Sequence, residues 1–294
     1  MRLKTTLLFL FTLFVASNLW AAEPIKPFVL AKTSDQPMDA VLAETQRALA
    51  AVGFAEAGLV SPYEGVRILV VTSPALKEMA AQSMHGAFGA MLRVSLTQVG
   101  ETVQVAYTNY PYWHAAYRMS GDPAPIAETI QTALGAQEEF GPAEGLTPEA
   151  LRKYHYKVFM PYFDDLQELA EYDSQQAALD AVEAGLVANA GGVGKVYRID
   201  LPGKDETVFG VTLSQKSGGD AYIMSEIDFK ELKSSAHLPY DFIVSDGKVL
   251  ALSAKFRIAI SFPDLSMMGD NSFMNIMDAP DDIENALKAV AKGK

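Results

Sequence analysis

Cysteine is absent from all 294 residues. Its absence excludes disulfide bonds, thiol nucleophiles, thiolate metal sites and covalently attached haem. Positive charge is in short supply: 24 Lys and Arg stand against 36 Asp and Glu. A chain this acidic repels nucleic acid and anionic lipid surfaces. The sequence also has no His-Glu-x-x-His, no Gly-x-Ser-x-Gly and no phosphate loop, so no reaction class is indicated by motif. Gly191-Gly192-Val193-Gly194-Lys195 resembles a phosphate-binding turn only faintly, and its place after an apolar helical stripe makes it a helix-to-strand turn.

What is present begins with an export signal. Arg2 and Lys4 precede an apolar run over residues 7–15, followed by Ala16, Ser17 and a small residue, Ala21, before the polar Glu23-Pro24. This is the order of a cleavable signal peptide over residues 1–21. The run is shorter than the roughly 20 apolar residues that a membrane span needs. Cleavage removes two positive charges and leaves 22 against 36, a net charge of −14. The mature chain is expected in the periplasm or secreted, without nucleic acid or membrane as partner.

Two stretches of the remainder repeat one pattern. An apolar helical stripe at Val41, Leu42, Thr45, Leu49 and Val52 has its counterpart in Leu179, Val182 and Leu186, with Ser174 as N-cap. Strand patterns follow each, at Val66, Ile68, Val70 and at Tyr197, Ile199, Val208, Val211. Short helices are expected at residues 75–79 and 228–232, each followed by two strands. The turns of these hairpins read Val99-Gly100-Glu101 and Ser245-Asp246-Gly247-Lys248. The strands are expected to end at Asn109-Tyr110-Pro111 and Ser261-Phe262-Pro263, the prolines 152 residues apart. Asp122-Pro123 and Asp278 with Pro280 then open two closing helices. The pattern predicts an α+β protein of two tandem repeated small domains, each a mostly antiparallel sheet with helices packed on it. The divisions are a signal peptide at 1–21, a first repeat at 22–136, a linker and aromatic helical segment at 137–167, and a second repeat at 168–294.

Pro27-Phe28, Glu44-Thr45, Gly53-Phe54, Phe88-Gly89-Ala90, Arg93-Val94 and the run Val103-Gln104-Val105-Ala106-Tyr107-Thr108-Asn109 resemble the domain-of-unknown-function family numbered 302. The resemblance covers about residues 27–135 and departs from the family at Ser61-Pro62-Tyr63, where an acidic residue is usual. It implies a small α+β domain and brings no catalytic residues. The second half shares it only through the internal repeat.

The residues with chemistry to offer are few. His85 and His237 are 152 residues apart, matching the two prolines, and a pseudo-twofold would let two such imidazoles face each other across a metal or haem. Their expected positions after short helices also suit capping of the last carbonyls. Met267, Met268, Met274 and Met277 share one loop and offer thioethers to Cu(I), or else fill core space. Tyr110, Trp113 and His114 in the first half, and Tyr154, His155, Phe159 and Tyr162 after the linker, are candidates to line a ligand pocket or to pack the halves together. Asp164 and Asp165 point apart as neighbours and read as the cap of a helix starting near Leu166. The expectation is an exported, non-catalytic protein binding a small ligand or a protein partner between its repeats. The alternative is a haem or metal carrier.

Overall fold

A computed structural model describes residues 23–158 and 160–293; the expected signal peptide lies outside them. The first half runs β1 (Phe28–Ser34), α1 (Met38–Ala51), β2 (Ala55–Val60), β3 (Val66–Thr72), α2 (Pro74–Ala81), β4 (Leu92–Val99), β5 (Thr102–Thr108), α3 (Tyr110–Ala116), α4 (Ala124–Leu134) and β6 (Glu138–Phe140). After α5 (Pro148–Arg152), the second half runs β7 (Gln167–Glu171), α6 (Gln175–Val187), β8 (Val193–Asp200), β9 (Glu206–Leu213), α7 (Asp220–Ile227), β10 (Tyr240–Ser245), β11 (Lys248–Ala251), α8 (Ala254–Ser261) and α9 (Ala279–Ala291). Short 3-10 turns precede β4 at Gly86–Gly89 and β10 at Ser235–His237.

The chain is α+β, with two antiparallel sheets and helices packed on them. The first sheet runs β2-β3-β4-β5-β1-β6 and the second β7-β11-β10-β9-β8. Read from the other edge, the second sheet runs β8-β9-β10-β11-β7, a strand order parallel to β2-β3-β4-β5-β1 in the first.

Local chemistry accounts for the elements. α1 buries Val41, Thr45 and Leu49, a strict four-residue stripe, and α4 buries Ile126, Ile130 and Leu134. These stripes meet Val29, Leu69, Val71, Val94, Leu96, Val103 and Val105 on the outer face of the first sheet. In the second half α6 is capped by Ser174, whose Oγ accepts from the Ala177 amide at 3.1 Å. The Asp246-Gly247 turn has positive φ at both positions (51° and 82°), as a two-residue type I′ hairpin requires.

The inner face of the first sheet is unusual. Arg93, Ser95, Thr97 and Gln104 alternate with the outward valines and leucines, yet all four are buried. They are covered by the second half. Thr97 Oγ1 donates to Ser235 Oγ at 3.0 Å, and Gln104 both donates to the Glu231 carbonyl and accepts from the Lys233 amide, each at 3.0 Å. In return the Gly86–Gly89 turn lies on β9 and β10, where the Ala87 amide donates to Glu206 Oε1 at 2.8 Å. Each half thus lays its short turn on the other's sheet. One apolar core runs through both, from Phe28 and Ile68 to Phe242 and Val290.

Several sequence expectations fail here. Residues 228–232 form no helix; the equivalent helix is α7, which ends at Ile227, and Phe229 points outward at 52% exposure. Ser261 closes helix α8 instead of a strand. Pro111 therefore sits in the first turn of α3 whereas Pro263 follows α8, so the two prolines are not equivalent. The hairpins themselves pair Val99 with Thr102 and Ser245 with Lys248, an offset of 146 residues in place of 152. Beyond Leu166 the chain enters strand β7, with Asp165 Oδ2 accepting from the Tyr162 amide and Asp164 paired with Arg118. The expected linker also contributes β6, which extends the first sheet beyond β1.

Candidate functional site

Two polar places lie between the halves, one closed and one open. The closed one is centred on Asp241 of β10. Arg93 Nη2 reaches both of its oxygens at 2.6 Å, Arg257 Nη1 of α8 donates to Oδ2 at 2.9 Å, and the Tyr197 hydroxyl donates to Oδ1 at 2.6 Å. Arg257 also donates to the carbonyls of His237 and Pro239, the latter at 2.6 Å, and stacks on the Tyr240 ring at 4.7 Å. Burial alone would raise the Asp241 carboxyl, but Arg257 and Arg93 override it and hold it below the ordinary range. All of these groups are buried. Two guanidiniums share one carboxylate, so the seam carries an uncompensated positive charge.

His237 belongs to this closed cluster. Its Nδ1 lies 2.7 Å from Ser261 Oγ, which itself donates to the Arg257 carbonyl at 2.8 Å. The one Ser261 hydroxyl thus lies within hydrogen-bond reach of both the Arg257 carbonyl and the His237 ring, and the imidazole tautomer sets the direction of the second bond. Burial, with Arg257 and Arg93 adding to it, holds the ring well below its ordinary range and neutral. His85 sits elsewhere, in a left-handed conformation (φ 57°) before the Gly86–Gly89 turn, under the influence of Glu206. Glu206 pairs with Ser245 at one end of the β9–β10 ladder, while His237 packs on Tyr240 at the other. Five residues of strand, about 17 Å at roughly 3.3 Å each, separate those ends. The structure does not bring the two histidines together, because they are not at equivalent positions. Neither caps a helix: His85 precedes its turn, and the His237 ring is engaged by Ser261.

The aromatic candidates are occupied in packing. Tyr110 lies in the outer core of the first sheet, Trp113 Nε1 donates to the Pro27 carbonyl at 2.9 Å, and His114 Nε2 meets the Ser120 carbonyl at 3.2 Å. Tyr154 donates to the Ala259 carbonyl at 2.8 Å, tying the segment after the first half onto α8. The rings of His155 and Tyr162 lie against each other at a tilt of 42°, partly exposed, their centroids 4.6 Å apart. Phe159 lies outside the described residues. Met267, Met268, Met274 and Met277 are all exposed on the surface. Among the described residues there is no group of three or more His, Asp or Glu placed to hold a metal ion.

The open place is a groove along α7. Its first-half wall is the β2–β3 turn, Val60 to Val66, with Thr97 and Gln98 of β4; its second-half wall is α7 and the loop that follows. A pocket of about 480 Å3 lies at the Asp220 end and one of about 270 Å3 at the Asp228 end, with Ala221 lining both. A smaller cleft of about 90 Å3, behind which Ser261 lies, continues past Asp228. Both ends carry a carboxylate that sequence patterns did not single out. Asp220 is 1% exposed; Oδ2 accepts from the Leu213 amide at 3.0 Å and Oδ1 has no partner. Burial pushes this carboxyl up to about 7, tempered by the Leu213 amide and Arg257. Burial likewise raises Asp228 to about 6, against the Ser234 amide, Lys233 and Lys230. Tyr63 reaches across from the first half, its hydroxyl 3.2 Å from Ser235 Oγ. Such isolated Asp residues carry no motif; only the fold makes them notable.

Compared with known protein families, characterised proteins and solved structures, the chain matches none of them.

Proposed function

We propose that this is an exported, non-catalytic binding protein that takes a small ligand in the groove between its two halves, which arose by tandem duplication. The observation that carries the reading is the groove itself. Both halves build it, its pockets are of small-molecule size, and a carboxylate stands at each end of α7, that of Asp220 buried and that of Asp228 half-buried. The closed seam beneath it fixes the two walls relative to each other.

The test is amide chemical-shift mapping of the mature protein against a library of small polar compounds. Hits should shift residues of the β2–β3 turn and of α7 together, and Ala221→Trp, which fills the junction of the two pockets, should abolish them. Hits scattered over other surfaces, or none at all, would refute the groove. Export is tested separately: the mature protein should begin at Ala22 or within a residue or two by intact mass.

A further inference from the structure

The loop between α8 and α9 presents side chains that its own packing does not use. Leu265, Phe273 and Ile276 anchor it from beneath, all buried. The Phe273 amide closes it onto the Ser266 carbonyl at 2.8 Å. Within it Ser272 Oγ donates to the Gly269 carbonyl at 2.7 Å, and the Ser272 amide to Asn275 Oδ1 at 3.1 Å. On this frame Met267, Met268, Met274 and Met277 stand outward, 41% to 72% exposed, so none of them fills core space. The loop runs beside α7. At one end the Tyr222 hydroxyl donates to the Asn275 carbonyl at 2.8 Å; at the other Phe229 lines the cleft of about 90 Å3 together with Phe262 and Leu265. Tyr222 and Phe229 are themselves exposed. Six of the eleven large apolar side chains exposed among the described residues therefore gather on one face, and the other five are dispersed along the chain. Dispersed ones are ordinary, whereas a concentration of them marks an interaction surface.

The charge on this face has one sign. Residues 258–287 contain no Lys or Arg. Asp270, Asp278 and Asp281 are exposed in the stretch that carries the methionines. Lys230, beside Phe229, is held by Asp264 at 2.6 Å and by the Gly141 carbonyl at 2.7 Å. A second copy of the chain would set these carboxylates against one another across a twofold, and an anionic lipid surface would meet the same repulsion. Seven residues at about 1.5 Å each set Tyr222 and Phe229 about 10 Å apart, the length of two helical turns. We infer that this face docks a basic amphipathic helix of a partner protein. The apolar stripe of that helix lies on the methionines, whose unbranched thioethers adapt to whatever they meet, and one anchor enters the cleft beside Phe229. Lys or Arg on its flanks meets Asp270, Asp278 and Asp281. Of the six side chains only Tyr222 also lines one of the two larger groove pockets, so this surface stands or falls separately from the groove.

The probes are two four-turn helical peptides with the same leucine face, one carrying Lys on its polar face and the other Glu. Each is titrated into the mature protein at physiological ionic strength and followed by methionine methyl resonances and calorimetry. The Lys peptide should shift the ε-methyls of Met267, Met268, Met274 and Met277 and leave those of the buried Met91 and Met119 in place. It should bind about tenfold or more tightly than the Glu peptide, the value of one charge-assisted contact. Met267→Ser with Met268→Ser, and Met274→Ser with Met277→Ser, should each weaken it about tenfold. All four side chains are exposed, so the core resonances of these variants should match the wild type. Asp270→Lys with Asp278→Lys should turn the preference toward the Glu peptide. Equal binding of the two peptides would show apolar adhesion without charge selection and overturn the inference. So would shifts that miss the four methyls, or no binding of the Lys peptide at all. A wild-type dimer in sedimentation that the serine pairs dissolve would give the face to a second copy, and flotation with phosphatidylglycerol vesicles that they abolish would give it to lipid; either overturns the helix.

Discussion

The balance of charge around Asp241 makes a quantitative prediction. Asp241→Asn keeps the shape of the side chain and removes its charge, leaving Arg93 and Arg257 buried against a neutral amide whose NH2 group faces a guanidinium. Removing one partner of a buried ion pair costs about 3–5 kcal/mol, because the other charge is stranded. Here two charges are stranded, so the loss lies at the upper end, about 5 kcal/mol. That is a large share of the 5–15 kcal/mol typical of whole proteins. Arg93→Met behaves differently. It leaves Asp241 with Arg257 and Tyr197, a neutral pair, and deletes the surplus positive charge. Its cost is that of lost charge-assisted hydrogen bonds, about 1.5–3 kcal/mol. Urea denaturation at pH 7.5, followed by fluorescence and far-ultraviolet dichroism, should therefore place Asp241→Asn below Arg93→Met by about 2 kcal/mol or more. Both should unfold in one transition, since one core and one seam join the halves. The pH dependence has a definite sign. A carboxyl held low in the folded state contributes above its unfolded value near 4 and loses that contribution as pH falls through the folded value. The gap between wild type and Asp241→Asn should narrow in acid. An Arg93→Met protein as unstable as Asp241→Asn would refute the charge count.

Asp220 should show the opposite pH sign. Its carboxyl is raised, so its folded form is favoured below about pH 4 and pays a growing penalty up to about pH 7. Asp220→Asn should change urea stability little at pH 4.5 and stabilise by up to about 4 kcal/mol at pH 8, the equivalent of a three-unit shift. Gly58→Val should destabilise by about 1–3 kcal/mol, because a Cβ there stands 2.6 Å from the Val196 carbonyl oxygen where the edges of the two sheets meet. Thermal unfolding measures it, and Gly53→Val, where nothing lies within 4 Å but φ is +90°, separates crowding from backbone strain. Trp113→Phe should lower stability by only about 0.5–1.5 kcal/mol, measured by urea unfolding, because the Pro27 carbonyl loses one donor and keeps the Asn109 amide.

Periodicity revealed the elements that bury one clean stripe. α1, α4, α6 and α9 show their four-residue spacing in the sequence, and the Asp246-Gly247 turn announces its hairpin. It failed where burial is all round. The run Ile258-Ala259-Ile260-Ser261-Phe262 is rich in β-branched and apolar residues, and it reads as a strand; in α8 every residue but Lys255 is buried, so no stripe distinguishes it. Residues 228–232 look helical by composition, but Asp228 accepts from the Ser234 amide and pins a turn instead. The histidine pairing was misled by a numerical offset shared with two prolines of different roles, whereas the hairpins themselves are 146 residues apart. The groove was invisible for a plainer reason. An Asp in Gly-Gly-Asp has no signature, and its lack of a partner exists only once β9, α7 and the β2–β3 turn have met. The groove between the halves was expected; the residues that face it were not the aromatic ones.

The reciprocal laying of each short turn on the opposite sheet decides who can marry whom. Counted from the hairpin turns, Ser95 occupies in the first half the place that Asp241 holds in the second, and Pro239 occupies the place of Arg93. Two copies of the first half would set Arg93 against a serine, and two copies of the second would bury Asp241 without its arginine from across the seam. Left and right halves are thus lock and key to each other and poor mates for themselves. A newly made chain is steered toward closing on itself before it can join a neighbour, and trading of halves between molecules gains nothing that the single chain lacks.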